Sequence, residues 1–329
     1  MPLRNSFLII AAALGCAVSL AQTPALRLER EIPLPGVEGR IDHLSADLEG
    51  QRVFVAALGN GTVEVVDLRQ GQRVGQIKGL KEPQGLLYFQ SNNSLYVATG
   101  GDGMVRVYNG RTLSLAGSVF VGDDADNLRW DHQTDSVMVG YGDGAIAFLP
   151  LNLSDRGKVE VRLPAHPESF QVSANGSGIF VNLPHDQSVA SINLSGGFVT
   201  AKWGHLGAQS NFPMAVDPGH DRIFIACREP AQLLALNTKT GLVMQRIATV
   251  GDADDLFFDQ ARSRIYVIGG EGFVDVVSAP NSGKLNSIAH IPTAAGARTG
   301  LFVPGWNKLL VAAPHRGATP ARLLVYALP

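Results

Sequence analysis

The chain has 329 residues, of which 45% are hydrophobic and 17% charged, so it can bury a large core and is not disordered. Its formal net charge is −2, and the basic residues are dispersed, with no run of three or more. Such a surface is not built to neutralise a phosphate backbone, so nucleic acid is not an expected partner.

The first residues differ in character from the rest of the chain. Met1 to Arg4 is a short basic start, Phe7 to Leu14 is apolar, and Ser19-Leu20-Ala21 has the small-x-small pattern of a cleavage site. We expect a signal peptide over residues 1–21 and a periplasmic or secreted protein. The alternative is lipid attachment at Cys16, because the residues before it resemble a bacterial lipoprotein signal. No later stretch approaches twenty apolar residues, and we expect no transmembrane segment.

A β-hairpin is predicted over Arg52 to Leu68, RVFVAALGNGTVEVVDL. Two apolar, β-branched runs, Val53 to Ala56 and Val63 to Val66, flank a Gly-Asn-Gly turn. Branched side chains suit a pleated surface, and glycine supplies the positive φ that a tight turn needs.

The same unit recurs seven times. The apolar strands that match Val53 begin at Leu95, Val137, Ile179, Ile223, Ile265 and Leu309, and the steps between them are 42, 42, 42, 44, 42 and 44 residues. A WD40-like period of this length leaves room for about four short strands in each copy. We therefore predict an all-β fold, a seven-bladed β-propeller of four-stranded blades that occupies residues 22–329 as one domain and is expected to be a monomer.

The last repeat contains only three predicted strands, Arg298 to Phe302, Leu309 to Ala313 and Arg322 to Ala327. A strand-like stretch, Leu26 to Leu34, precedes the first repeat. The sequence predicts that this N-terminal stretch supplies the outer strand of the last blade, which would remove an exposed edge.

Two kinds of segment carry a family resemblance. Leu95 to Ala98 and Ile265 to Ile268 match the strand, and Asn237-Thr-Lys-Thr-Gly241 matches the Asx-x-x-Thr-Gly corner, of the YVTN-repeat β-propeller family. The chain resembles this family over nearly all of its mature length. The resemblance implies a propeller, whereas the family's functions range from exported proteins of unknown role to proposed DNA binding and relatives of lactone-cleaving enzymes.

A ring of polar residues is predicted at one mouth of the central channel, where each inner strand begins. Eleven residues before each repeat anchor the chain has a polar residue in six of seven copies, and two residues after that position an apolar core residue follows, again in six of seven copies. Loops at one end of a rigid scaffold usually carry binding residues. The candidate ligand-binding residues are Asp42, His43, Gln84, Asp126, Asn127, Glu168, Asp254, Asp255 and Arg298. The alternative for each of them is a structural role, in which the side chain caps the end of a strand.

Neighbouring blades set the expected contacts within this ring. Arg298 should lie between Asp42 and Asp254 and pair with them, whereas Asp126 and Glu168 face each other without a basic residue at a matching position. When two such carboxylates are buried together, either the pKa of one of them rises or a cation binds between them. We therefore predict a divalent cation such as calcium, with the ligand set Asp124, Asp126, His166 and Glu168.

No sequence motif identifies a reaction. The preferred hypothesis is an exported, non-catalytic propeller that binds a small polar ligand or a protein partner at this charged face. The alternative is a metal-assisted hydrolase or lactonase that uses the same carboxylates.

Overall fold

A computed structural model describes residues 24–154 and 158–329. The expected signal peptide and Cys16 lie outside the described residues. Within the described ranges almost every regular element is a β-strand, and the strands form seven antiparallel four-stranded sheets.

The first four sheets follow one another along the chain, each running from its first to its fourth strand. Their strands are β2 Leu44–Asp47, β3 Arg52–Ala57, β4 Thr62–Asp67 and β5 Gln72–Lys78 in blade one; β6 Pro83–Phe89, β7 Ser94–Thr99, β8 Met104–Asn109 and β9 Leu115–Phe120 in blade two; β10 Leu128–Asp131, β11 Ser136–Tyr141, β12 Ala145–Pro150 and β13 Val159–Arg162 in blade three; and β14 Phe170–Val172, β15 Gly178–Leu183, β16 Ser188–Asn193 and β17 Phe198–Trp203 in blade four.

The remaining three sheets complete the ring. Their strands are β18 Gln209–Asp217, β19 Arg222–Glu229, β20 Ala231–Asn237 and β21 Val243–Ala248 in blade five; β22 Ala253–Asp259, β23 Arg264–Gly269, β24 Phe273–Ser278 and β25 Asn286–Pro292 in blade six; and β26 Thr299–Val303, β27 Lys308–Ala313, β28 Arg322–Ala327 and β1 Arg27–Pro33 in blade seven. Short 3₁₀ turns occupy Leu58–Asn60, Gly100–Asp102, Pro184–Asp186 and Pro304–Trp306.

The blades close into a ring around an axis lined by their first strands. Each first strand contacts the first strand of the next blade, and β26 of blade seven returns to β2 of blade one. The fold is therefore the predicted seven-bladed β-propeller, and all seven anchor residues lie in the second strands of their blades.

The hydrophobic core is divided among the interfaces between blades. Seven buried clusters are found in the described chain, and each combines residues from two neighbouring blades. The cluster between blades seven and one includes Ile32 and Leu34, which are fully buried, with Val53 of β3 and Leu323 of β28. Alternating strand residues supply these faces, because successive side chains point to opposite sides of a sheet.

Strand β1 joins the two ends of the chain. It pairs with β28 in antiparallel register, with Ile32 opposite Leu323, and the amide of Leu34 donates to the carbonyl of Ala321 at 2.8 Å. The last blade thus takes its outer strand from the N-terminal part of the chain, and no three-stranded blade is left among the described residues.

The predicted Gly-Asn-Gly turn of the first hairpin is a 3₁₀ turn that ends at Gly61. This glycine has a φ of +66°, and an added Cβ would lie 2.7 Å from the carbonyl oxygen of Leu80. Only glycine avoids both the left-handed strain and the clash with backbone.

Candidate functional site

The polar ring lies where the first strands begin, and similar backbone features position its residues in several blades. In blades one, three and four the amide of the ring residue donates to the second strand of its own blade, at 2.7, 3.0 and 3.1 Å; the donors are Asp42, Asp126 and Glu168. In blades two, five and six the register between first and second strands shifts at the corresponding place. Such bulges re-aim a side chain, so the ring residues can face the axis.

His43 lies at the centre of this ring. Its Nδ1 is 3.5 Å from Asp255 Oδ1, and its Nε2 is 3.6 Å from Asp42 Oδ1 and 4.0 Å from Asp126 Oδ1. These carboxylates belong to blades six, one and three, which are not all neighbours. The contacts therefore cross the opening of the channel, and we call Asp42, His43, Asp126, Glu168, Asp254 and Asp255 the channel mouth.

The three carboxylates keep His43 charged. Burial alone would lower the pKa of its imidazole, but the charges of Asp255, Asp42 and Asp126 outweigh that effect and raise the pKa to about 10. Since only a fifth of the side chain is exposed, this imidazolium acts as a fixed cation at neutral pH. The sequence identified His43 as a ring member but not as the residue that joins opposite blades.

Two carboxylates of the mouth have no hydrogen-bonded cation. Asp126 is 7% exposed, and its Oδ1 has no hydrogen-bond partner. Burial, followed by repulsion from Asp42, raises its pKa to about 8. The Glu168 carboxylate makes no hydrogen bond or ion pair with any described residue, and burial, followed by repulsion from Asp254, raises its pKa to about 7. Both groups therefore take up a proton readily near neutral pH, or would gain from a ligand's positive charge.

Asp254 has a cation of its own. Arg228 Nη2 donates to Asp254 Oδ1 at 2.5 Å, and the Arg228 guanidinium lies 3.7 Å from the ring centre of Phe212. Burial still raises the pKa of Asp254 to about 6, since the effect of Arg228 is the smaller one. Phe212, the one apolar member of the ring, thus orients an arginine by a cation–π contact.

The partner predicted for Arg298 was wrong. Arg298 does not pair with Asp42 or Asp254; its Nη1 and Nη2 each lie 3.0 Å from a carboxylate oxygen of Asp252. Asp42 is paired with Arg40 at 2.8 Å instead. Repeat spacing places Arg298 between blades six and seven. It does not determine whether the arginine pairs with Asp252 or Asp254, because these carboxylates are two residues apart on the same loop.

Loss of Arg298 is therefore expected to have a modest effect. Arg298→Ala should lower the free energy of unfolding by about 1 kcal/mol, because Asp252 is one-third exposed and keeps Arg228 within 3.5 Å. The measurement is a double-mutant cycle with Asp252→Ala in equilibrium urea unfolding. A coupling energy near zero would show that the pair contributes nothing to stability.

The two amide side chains predicted in the ring have different roles. Gln84 donates from Nε2 to Asp124 Oδ1 at 3.1 Å, and so links blade two to the loop that enters blade three. Asn127 is 2% exposed, and its Oδ1 has no hydrogen-bond partner. Gln84 holds a carboxylate in place, and Asn127 leaves an acceptor unused near Asp126.

The predicted metal ligands do not assemble into one group. His166 Nδ1 lies 3.7 Å from Asp124 Oδ2, but no set of three or more histidine, cysteine or acidic side chains in residues 24–154 and 158–329 is arranged to hold a metal ion. The divalent cation predicted for Asp124, Asp126, His166 and Glu168 stays a prediction from the sequence, without support from this donor geometry.

Two arginines near the mouth were missed from the sequence. Arg40 lies two residues before Asp42 and pairs with it. Arg129 lies on β10, where Asp255 and Asp126 are its nearest charge partners and burial lowers its pKa. A charged residue between the apolar Leu128 and Trp130 was a usable signal, because alternation along β10 turns every second side chain toward the channel.

Comparison with known proteins supports the fold and nothing finer. No family model matches the chain, and no curated protein matches its sequence. A structure of Kuenenia stuttgartiensis hydrazine synthase is similar, with a TM-score of 0.73 and 15% identity over 85% of this chain and 96% of that one. A chain in a crystal structure of the mitotic checkpoint complex has a TM-score of 0.77 and 14% identity over 100% and 99% of the two chains.

The class of protein defined by fold and site is a seven-bladed β-propeller with a charged channel mouth. The TM-scores of 0.73 and 0.77 show a shared propeller fold, and the resemblance to the YVTN-repeat family stays a prediction. No helix in the described part of the chain is long and apolar enough to span a bilayer.

Proposed function

We propose that this protein is an exported, non-catalytic β-propeller that binds a small polar ligand at the channel mouth. The observation that carries the proposal is a pair of carboxylates without hydrogen-bond partners, Asp126 and Glu168. They lie beside His43, whose raised pKa keeps its imidazole protonated at neutral pH. Buried polar groups are normally hydrogen-bonded, and an orphaned one has a structural or functional cause. Export is inferred from the signal-like first 21 residues.

A rigid scaffold supports binding at this point. The mouth is built from the starts of inner strands in four blades, and the blades are fixed to one another by buried clusters. Charges of both signs are held at defined positions there, with His43 between carboxylates and Arg228 against Asp254. Preorganised groups bind with a smaller entropic cost than mobile ones.

The test is a thermal-shift screen of small polar compounds at pH 7, grouped as amines, carboxylic acids, amino acids, sugars and nucleosides. At least one group should raise the melting temperature saturably, since a ligand at 100 times its Kd stabilises the fold by about 2.7 kcal/mol. Asp126→Asn should abolish the shift, because an amide cannot ionise to pair with a ligand, while the variant itself remains folded, because the raised pKa of about 8 already keeps the parent carboxyl largely neutral at pH 7.

The matched control is Glu49→Gln. Glu49 is exposed in the turn between β2 and β3, at the end of the ring opposite the mouth. This variant should respond to ligand as the parent does. Absence of a saturable shift for every group of compounds, or an equal shift in Asp126→Asn, would contradict binding at the channel mouth.

A further inference from the structure

A cavity of about 580 Å³ opens between blades three and four beside the channel mouth. Glu168 is half-buried in its lining, and Asp123 and Asp143 are at its exposed rim. Within the described chain, its lining contains four carboxylates and two histidines but neither a lysine nor an arginine. The acidic cavity, as we call it, is defined by Asp123, Asp124, Asp143, His166, Glu168 and His185.

The hydrogen bonds around this cavity leave acceptors unused. His166 Nδ1 lies 2.6 Å from the carbonyl oxygen of Gly142, which can only accept, so this nitrogen carries a proton. In the neutral ring Nε2 is then an acceptor. Asp124 is held through one oxygen by Gln84, and Glu168 has no partner among the described residues.

Asp126 provides an independent sign that a positive group is missing. It is the ring neighbour of Glu168, nine-tenths buried, and its Oδ1 faces the mouth without a hydrogen bond. The nearest cation, His43, is 4.0 Å away and is shared with Asp42 and Asp255. The blade-three and blade-four side of the mouth therefore has more negative charge than its own side chains neutralise.

We propose that the acidic cavity binds the primary ammonium group of a small organic cation, with Glu168 as its main ion-pair partner. This inference rests on the proposed function and names the ligand class for the part of that site around Glu168, the one residue that the channel mouth and the acidic cavity share. An ammonium group has three donors and no acceptor, which suits a lining of carboxylates. A calcium ion needs six to eight oxygen ligands in one shell, and the described residues supply no such group.

The probe is 1,4-diaminobutane, titrated calorimetrically into the full mature chain at pH 7. Its neutral counterpart, 1,4-butanediol, has the same length without the charge. Saturable binding is expected for the diamine and none for the diol. Glu168→Gln should weaken the diamine at least tenfold while keeping the parent's melting temperature or raising it, and Glu49→Gln should leave the affinity unchanged.

The other outcomes are distinguishable. No saturable binding of the diamine, or equal affinity in Glu168→Gln, overturns the ammonium site. Binding of calcium or zinc chloride that Glu168→Gln abolishes, without binding of the diamine, would assign the cavity to a metal instead. If the diamine fails but another compound stabilises the parent and not Asp126→Asn, the ligand class is wrong and the binding function remains.

Discussion

Replacing His43 with Asn should lower the free energy of unfolding by about 3 kcal/mol at pH 7, the size expected when one partner of a buried ion pair is removed. The substitution keeps a polar side chain but removes the cation that Asp42, Asp126 and Asp255 share across the channel. Asp42 and Asp255 would then lose their shared cation, and Asp126, whose pKa is already about 8, would hold its proton more tightly. Equilibrium urea unfolding measures the difference.

The pH profile separates this effect from simple loss of packing. The folded state raises the pKa of His43 from 6.5 to about 10, so the stability from its charge is complete below pH 6.5 and is lost as the pH rises toward 10. The pKa of Asp126 is raised from 3.8 to about 8, because the folded state holds its proton more tightly. Its ionisation therefore also lowers the stability of the folded state as the pH rises, over the lower range from 3.8 to about 8. The parent should therefore lose stability from pH 6.5 to 10, and His43→Asn should have a flatter profile above pH 8.

His132→Asn is the matched control, because His132 is exposed in a turn at the opposite end of the ring. Its ring packs against Trp130, with 3.9 Å between ring centres, so the control is taken from the shape of the profile, which the variant should leave unchanged. A parent protein whose unfolding free energy is constant from pH 6.5 to 10 would show that His43 is not held charged by its neighbours.

The blades could be predicted because their signals are local. Val53 and its six counterparts all fall in second strands, since β-branched runs between Gly, Asn and Asp turns depend only on neighbours in sequence. The observed β28, Arg322–Ala327, has the predicted bounds, and other strands differ by a residue or two. A period near 42 then fixes the number of blades.

The partners within the ring could not be predicted in the same way. Spacing from the repeat anchors correctly placed Asp42, Asp126 and Asp255 where inner strands begin, but it says nothing about distances across the channel. Asp126 and Asp255 belong to blades three and six, yet His43 lies 4.0 Å from the first carboxylate and 3.5 Å from the second. Arg298 shows the same limit, because its choice of Asp252 depends on loop conformation.

Ring closure depends on residues distant in sequence. Strand β1 contacts blade one as well as blade seven: Arg30 Nη1 donates to the carbonyl of Leu68 at 2.9 Å, and Arg73 Nη1 donates to that of Pro35 at 3.0 Å. Glu31 pairs with Arg322 on the adjacent strand at 2.7 Å. A closed ring leaves no blade face unpaired, so the contacts of β1 should stabilise the whole domain.

Ile32→Ala should therefore destabilise the entire propeller, by about 3 kcal/mol, because an isoleucine truncated in a packed core loses its transfer energy and leaves a cavity. Ile32 is 0% exposed in β1, between blades seven and one. Leu28→Ala on the same strand is the control, since Leu28 is 43% exposed and should change little. Urea unfolding should be followed both by fluorescence of Trp130, in blade three, with the other tryptophans replaced by Phe, and by circular dichroism. If Ile32→Ala leaves the urea midpoint reported by Trp130 unchanged from the parent, β1 stabilises only its own blade. Closure of the ring would then not stabilise the whole domain.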